Sequence, residues 1–306
     1  ARASLLIPQV CHPRILSYEK INNGITLIVW GFFKKMVIAD NLAPVVNQAF
    51  GGTNQVIIPS GMECLIGIYA FAFQIYCDFS GYTDIARGLA KMMGFELSTN
   101  FNLPYLATCP PDFWKRWHIS LSSWLKDYLY IPLGGNRFGN WITFRNLLLT
   151  MILGGLWHGA AWNFIIWGTY HGLILVFHRI WFELKNNDSP KTFVIVKQFF
   201  AIIGMFHLTC LGWLFFRSNS ISQILGFISA ITFDIHLNKS GIEMLFSLLV
   251  FGGALWVFEW YIGNAEDVQK KIAWNWIAGP IFVSFLLTFL WLFGSNGNKE
   301  FLYFQF

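Results

Sequence analysis

The sequence predicts an all-α, polytopic membrane protein, and three observations carry that prediction. Apolar residues make up 55% of the 306 positions and charged residues only 12%, with a mean hydropathy of +0.50, a balance outside that of soluble domains. Five blocks, Ile21–Phe33, Cys64–Cys77, Gln198–Phe216, Met244–Phe258 and Ile272–Asn298, lack any acidic or basic residue. The 15 tryptophans suit a chain that meets the membrane–water boundary repeatedly, where indole rings prefer to lie. Several blocks are short for a full span, so tilted, broken or re-entrant helices are expected.

The net charge of +5 is small and spread along the chain, which fits basic cytoplasmic loops rather than nucleic-acid binding. Cys11, Cys64, Cys77, Cys109 and Cys210 form no C-x-x-C pair and have no metal-ligand spacing, so neither a zinc site nor a disulfide framework is implied. The chain starts at Ala1 with a polar lead-in and no signal-like apolar segment. It reads as one membrane domain over 1–306, the C-terminal part of a longer protein.

Gly24 to Phe50 begins as an apolar helix and then meets Lys34-Lys35, which are expected at a membrane surface, with an interfacial segment after them. Gly51-Gly52 and Pro59 open the next helix, which runs to Tyr76 before the sequence turns polar. Asp84 and Arg87 lie one turn apart and suit a local ion pair, or else Asp78 or Asp84 orients another polar group. Leu97 to Pro111 is loop-like, and Asp112 is a candidate N-cap. The run FWKRWHISLSSWLKDYLY then predicts one amphipathic helix in the membrane interface. At 100° per residue Trp114, Trp117, Leu121, Trp124, Leu125 and Tyr128 share a face, opposite Lys115, Arg116, Ser123, Lys126 and Asp127. His118 falls at the edge of the aromatic face, a place that suits a boundary residue and a catalytic one equally. Ile131 to Asn146 is a glycine-rich basic loop able to approach a phosphate-bearing ligand through Arg137, without the spacing of a nucleotide P-loop.

Asn146 to His178 contains no Asp, Glu, Lys or Arg but three of the seven histidines. As one straight helix it would be about 50 Å long, too long for a hydrocarbon core of about 30 Å. Gly154-Gly155 and Gly159 flank Trp157-His158, so two helices are expected to meet at a break beside His158. An ionisable group at membrane depth is a functional candidate, although a buried imidazole bonded to a neighbouring helix is the alternative. His171, thirteen positions on and about 140° round a continuous helix, suits packing or support of another group. His178 and His207 read as structural. By the positive-inside rule the basic residues at 179–197 and 263–271 place those segments in the cytoplasm and the C-terminus outside, unless 221–235 dips into the membrane and inverts this.

A neutral histidine at depth suits a general base that takes a proton from a hydroxyl attacking an acyl thioester. A proton-relaying transporter would show inverted repeats and paired carboxylates, and an assembly subunit would need no polar centre. No G-x-S-x-G, H-E-x-x-H or C-x-x-C supports a hydrolase.

Four segments, YCDFSGYTDIARG, DFWKRWHISLSSWLKDYLYIPLGGNR, RNLLLTMILGGLWHGAAWNFIIWGTYHGL and the terminal FLYFQF, resemble the membrane-bound O-acyltransferase (MBOAT) family. IPLGGNR and FLYFQF are similar to its alginate O-acetylation branch rather than to its teichoic-acid D-alanylation branch. The resemblance implies a ring of helices around a thinner centre pierced by a tunnel, with N-terminal helices of the ring absent from this chain. It places the family's near-universal histidine at His158 and its second histidine at His118. Beside it, the basic interfacial helix and the Arg137 loop could face an anionic donor, which makes Lys115, Arg116 and Arg137, with Asp112, candidates for donor-side contacts. The resemblance implies no permanently bound cofactor and no metal, with acetyl-CoA or another acyl thioester as donor substrate. It further implies a bacterial inner-membrane location, a periplasmic acetyltransferase partner, the polysaccharide export machinery, and an alginate-like acceptor. Peptidoglycan, teichoic acid or another glycan is the alternative acceptor, and a non-catalytic transport or assembly subunit the alternative role.

Overall fold

Four of the described helices start where the sequence supplies a side-chain partner for the free N–H groups of a first turn. The computed structural model describes residues 2–51, 59–184, 194–262 and 278–294, and these form helices α1 (Ala3–Cys11), α2 (Tyr18–Phe32), α3 (Asp40–Phe50), α4 (Gly61–Met92), α5 (Pro110–Arg116), α6 (Ile119–Leu125), α7 (Asn140–His158), α8 (Trp162–Leu184), α9 (Val194–Arg217), α10 (Ile221–Phe233), α11 (Lys239–Ser247), α12 (Ala254–Ile262) and α13 (Ala278–Phe293). Ser17 accepts from Lys20 N at the start of α2, Ser220 from Gln223 N at α10, and Asn238 from Gly241 N at α11. At α4 the cap is reciprocal: Glu63 Oε2 accepts from Ser60 N at 3.0 Å, and Ser60 Oγ accepts from Glu63 N at 3.4 Å.

Three helical stretches are long and apolar enough to cross a membrane: Gly61–Met92, Val196–Arg217 and Lys239–Trp260. They take in three of the charge-free blocks. Ile221–Phe233 and Pro280–Phe293 are apolar but shorter. The basic clusters at Lys185 and Lys191 and at Lys270-Lys271, and the FLYFQF tail, lie outside the described residues.

The chain divides into two compact units. The first comprises Ala1–Gln55, Tyr69–Asn102 and Leu237–Phe306. In it α2 and α4 run antiparallel along a seam of glycines. A Cβ on Gly31 would stand 2.6 Å from the carbonyl oxygen of Gly81, and one on Gly88 would stand 2.5 Å from that of Gly24. Glycine spaced by seven on both helices therefore allows backbone to meet backbone.

Lys34 and Lys35 do not lie at a surface, contrary to the expectation. They are 3% and 6% exposed, in a π-helical stretch, Phe33–Ala39, that follows α2 directly. Lys34 Nζ donates to Asp84 Oδ2 at 2.7 Å and to Ser80 Oγ at 2.8 Å; Lys35 Nζ lies 2.6 Å from Asp78 Oδ1 and 3.0 Å from Asp40 Oδ1. Arg87 donates to Asp84 at 3.3 Å, so the local pair exists and Asp84 serves a second cation as well. The polar continuation of α4 is thus the acidic wall of a buried ion network, and the helix runs on to Met92 instead of stopping near Tyr76. Removing one partner from such a pair leaves an uncompensated buried charge and costs about 3–5 kcal/mol.

The second unit, Val56–Ile68 and Leu103–His236, carries the candidate site. Its centre is the hairpin of α7 and α8, which meet at Gly159–Ala161, the break the glycines predict. A side chain on Gly155 would collide with the Phe164 carbonyl and one on Gly168 with that of Met151, while the Phe164 ring fills the space beside Gly159. These glycines bring the two helices together; that is a reason in the fold for their presence beside His158.

Candidate active site

His158 is the last residue of α7 and is half-buried. Its imidazole is enclosed by rings from three elements. Centroid distances are 5.0 Å to Trp157, 5.3 Å to Trp167, 5.2 Å to Phe216 and 6.3 Å to Phe164. Trp167 comes from α8 and Phe216 from the end of α9. Asn163 Nδ2 donates to the Phe216 carbonyl at 3.1 Å and so ties the start of α8 to that end of α9.

His118 reaches the same aromatic cluster by a strained route. The predicted single amphipathic helix is broken in the structure: α5 ends at Arg116, Trp117 is extended, and His118 adopts φ +43° as the N-cap of α6. Only His118 and Leu103, among the described non-glycine residues, have positive φ. That conformation costs about 1–3 kcal/mol in a bulky residue. The break removes the continuous aromatic face: Trp117 is buried, whereas Trp124 and Tyr128 are exposed. A helix wheel cannot register one residue leaving the α region, which is why the sequence reading joined α5 to α6. Asp112 also sits inside the first turn rather than at the N-cap, which is Cys109; its carboxylate accepts from Thr108 N at 3.2 Å and from Arg116 Nε at 2.8 Å.

The His118 ring lies 6.4 Å from Trp157, the residue that also touches His158, and its Nδ1 is 3.4 Å from Ser120 Oγ. Burial, and after it the charge of His158, push the His118 imidazole down from 6.5 to about 3, so it is neutral throughout the physiological range. Because the folded pKa lies below the unfolded one, the unfolded chain takes up the proton first, and stability is lost as pH falls below 6.5 towards 3. From pH 7 to pH 5 this amounts to about 2 kcal/mol. Thermal unfolding of the solubilised protein is therefore expected at a lower midpoint at pH 5 than at pH 7, with a smaller drop in His118→Asn, since Asn tolerates the left-handed backbone and does not titrate. Equal drops in the two proteins would remove His118 from the effect.

The sequence-predicted residues separate into two groups. His118 and His158 come together around Trp157. Arg116 is held by Asp112, whereas Lys115 and Arg137 are exposed, and among the described residues no hydrogen bond, ion pair or ring contact joins either of them to the histidines. Arg137 sits on the turn 131–138, which the fully buried Asn146 clamps by donating to the carbonyls of Leu133 at 3.1 Å and Gly135 at 3.0 Å. The aromatic shell of Trp114, Trp157, Trp167 and Phe216 was not singled out from sequence as a unit, because its members come from four helices. His171, read as packing or support, is buried between Trp114 and Trp167. No group of three or more His, Cys, Asp or Glu residues among the described positions is arranged to hold a metal ion.

A histidine pair of this kind, at a helix break in an apolar chain, coincides with a family match. The sequence signature of the MBOAT, membrane-bound O-acyltransferase family, covers residues 7–220. The chain belongs to the MBOAT family. Among curated relatives it is 45% identical to the probable alginate O-acetylase AlgI of Azotobacter vinelandii over 216 residues, 71% of this chain and 41% of the relative. It is 44% identical to the protein of the same name from Pseudomonas aeruginosa, over 71% of this chain and 39% of the relative. The peptidoglycan O-acetyltransferase of Helicobacter pylori is 34% identical across 95% of this chain and 58% of the relative. The chain thus spans about two fifths of the length of the AlgI relatives it matches. MBOAT membership makes this a polytopic membrane fold, in keeping with the three candidate spans.

Proposed function

We propose that this protein is a membrane-bound O-acetyltransferase that takes an acetyl group from a cytosolic thioester, acetyl-CoA by preference, and passes it across the membrane for O-acetylation of an exported, alginate-like polysaccharide. The observation that carries this reading is the convergence of His118 and His158 on Trp157 within a chain about 45% identical to AlgI proteins. In this reading His158 accepts the proton of the acceptor hydroxyl while that oxygen attacks the thioester carbonyl. The tetrahedral intermediate then collapses, the C–S bond breaks, and the departing thiolate takes the proton from His158. His118, neutral and fixed by its backbone, guides the donor. Lys115 and Arg137, exposed and basic, suit an anionic donor; Arg116, held by Asp112, is a less available contact.

The finer architecture belongs to the same proposal: one membrane domain, with helices ringing a thin centre and a tunnel leading to His158, in a bacterial inner membrane. A periplasmic acetyltransferase and the polysaccharide export machinery would be its partners. A second acceptor is favoured by one specific finding, the match of the peptidoglycan O-acetyltransferase across 95% of the chain. The deciding experiment measures alkali-labile acetate separately on exported polysaccharide and on purified peptidoglycan, in cells with and without the gene. Acetate lost from the polysaccharide alone is the expected result. Loss from peptidoglycan alone reassigns the acceptor, and unchanged acetate on both refutes acetyl transfer to either.

A further inference from the structure

We infer that His171 is a positioning residue for His158, acting through the ring of Trp167; this rests on the acyl-transfer reading above. His171 is fully buried, and neither of its ring nitrogens has a hydrogen-bond partner among the described residues. A neutral imidazole still carries one N–H, and hydrocarbon surroundings offer it nothing. What surrounds it here is a set of aromatic faces. Trp167 lies 4.9 Å away at 64°, Trp114 5.1 Å away at 80° and Tyr170 5.3 Å away at 74°, while Phe113 stacks nearly parallel at 6.2 Å. Steeply inclined rings at these separations allow the imidazole N–H to point into an indole face, the weak acceptor available in such a site.

Trp167 links this histidine to the candidate base. Its ring stands at 88° to His158, 5.3 Å away, and its own buried Nε1 likewise lacks a hydrogen-bond partner among the described residues. No hydrogen bond from Nε1 therefore fixes the indole; its neighbours' rings do. Both Trp167 and His171 project from α8, one turn apart, so His171 braces the indole from the next turn of the same helix. Gly212 on α9 makes room for this arrangement, because a Cβ there would stand 2.6 Å from His171 Nε2. A buried histidine that served only to fill space would be replaceable by phenylalanine, which has a similar flat ring; one that orients Trp167 through its N–H would not be.

The test uses membrane vesicles containing the protein at matched abundance, with acetyl-CoA as donor and released or transferred acetate as readout. His171→Phe is expected to lower kcat about tenfold with KM for the thioester unchanged, because a misplaced base affects the chemical step more than donor binding. Trp167→Leu should lower kcat similarly, and the double variant should lose no more than the worse single one, since both changes break the same link. His171→Phe at wild-type kcat, or fully additive losses in the double variant, would overturn the inference. Should His171→Phe fail to accumulate, His171→Gln decides: its amide N–H can still reach the indole, so kcat near wild type is expected, and a kcat as low as that of Trp167→Leu overturns the inference. His158→Ala in parallel separates the two levels. Full transfer by His158→Ala sinks the acyl-transfer role of His158 itself, whereas loss in His158→Ala with none in His171→Phe sinks only the role of His171.

Discussion

His158→Ala is expected to lower alkali-labile acetate on the exported polymer by about 100-fold or more while polymer export and membrane abundance of the protein stay unchanged. The magnitude follows from general-base catalysis, which contributes about 10²–10⁴-fold when the base is positioned at the reacting hydroxyl. Stability should be affected much less than activity. His158 is half-buried and ends its helix, so truncation removes ring contacts with Trp157, Trp167 and Phe216 without opening the backbone-to-backbone contact of α7 and α8, which Gly155 and Gly168 provide. Mass spectrometry of the polymer, with quantitative immunoblotting of membranes, checks both halves of the prediction. A drop in acetate that only tracks a drop in protein would count against a chemical role.

The second large effect is structural and falls in the other unit. Gly81→Val is expected to abolish accumulation of folded protein, because its Cβ would stand 2.7 Å from the Gly31 carbonyl oxygen, an atom that cannot swing aside. Overpacking of this kind costs about 1–3 kcal/mol or more. Here the damage spreads, since Gly81 lies between Asp78 and Asp84, the acidic partners of Lys35 and Lys34 on the opposite element. Spreading the helices would strain two buried ion pairs at once, and losing a partner from one alone costs about 3–5 kcal/mol. Size-exclusion profiles of solubilised, fluorescently tagged protein should show the native peak reduced at least about tenfold, with Gly81→Ala intermediate. A native peak of wild-type height for Gly81→Val would mean that α2 and α4 do not approach as closely as the seam requires.

What was legible in the sequence follows from what local pattern can encode. The helix pair around His158 was readable because glycine and the absence of charge are local signals. The three candidate spans were readable for the same reason. Lys34 and Lys35 were misplaced because two adjacent lysines look like a membrane-surface mark, and besides Asp40 the carboxylates that let them be buried, Asp78 and Asp84, lie 43 to 50 residues further on. The helix through His118 was misread because 18 residues of good amphipathic period conceal a single left-handed residue; the strain shows in φ, not in composition. Donor-side residues were chosen by charge alone, and Arg116, one of them, is already paired with Asp112. The aromatic enclosure of His158 draws on residues from 157 to 216 and needed tertiary packing to become visible.

Acyl transfer by His158 can be followed in inside-out membrane vesicles supplied with acetyl-CoA labelled in its acetyl group and with the acceptor polymer enclosed. Label is expected to enter alkali-labile esters inside the vesicles with the wild-type protein and to fall to background with His158→Ala at equal abundance. Label entering at the wild-type rate with His158→Ala would rule out His158 as the group that carries the transfer.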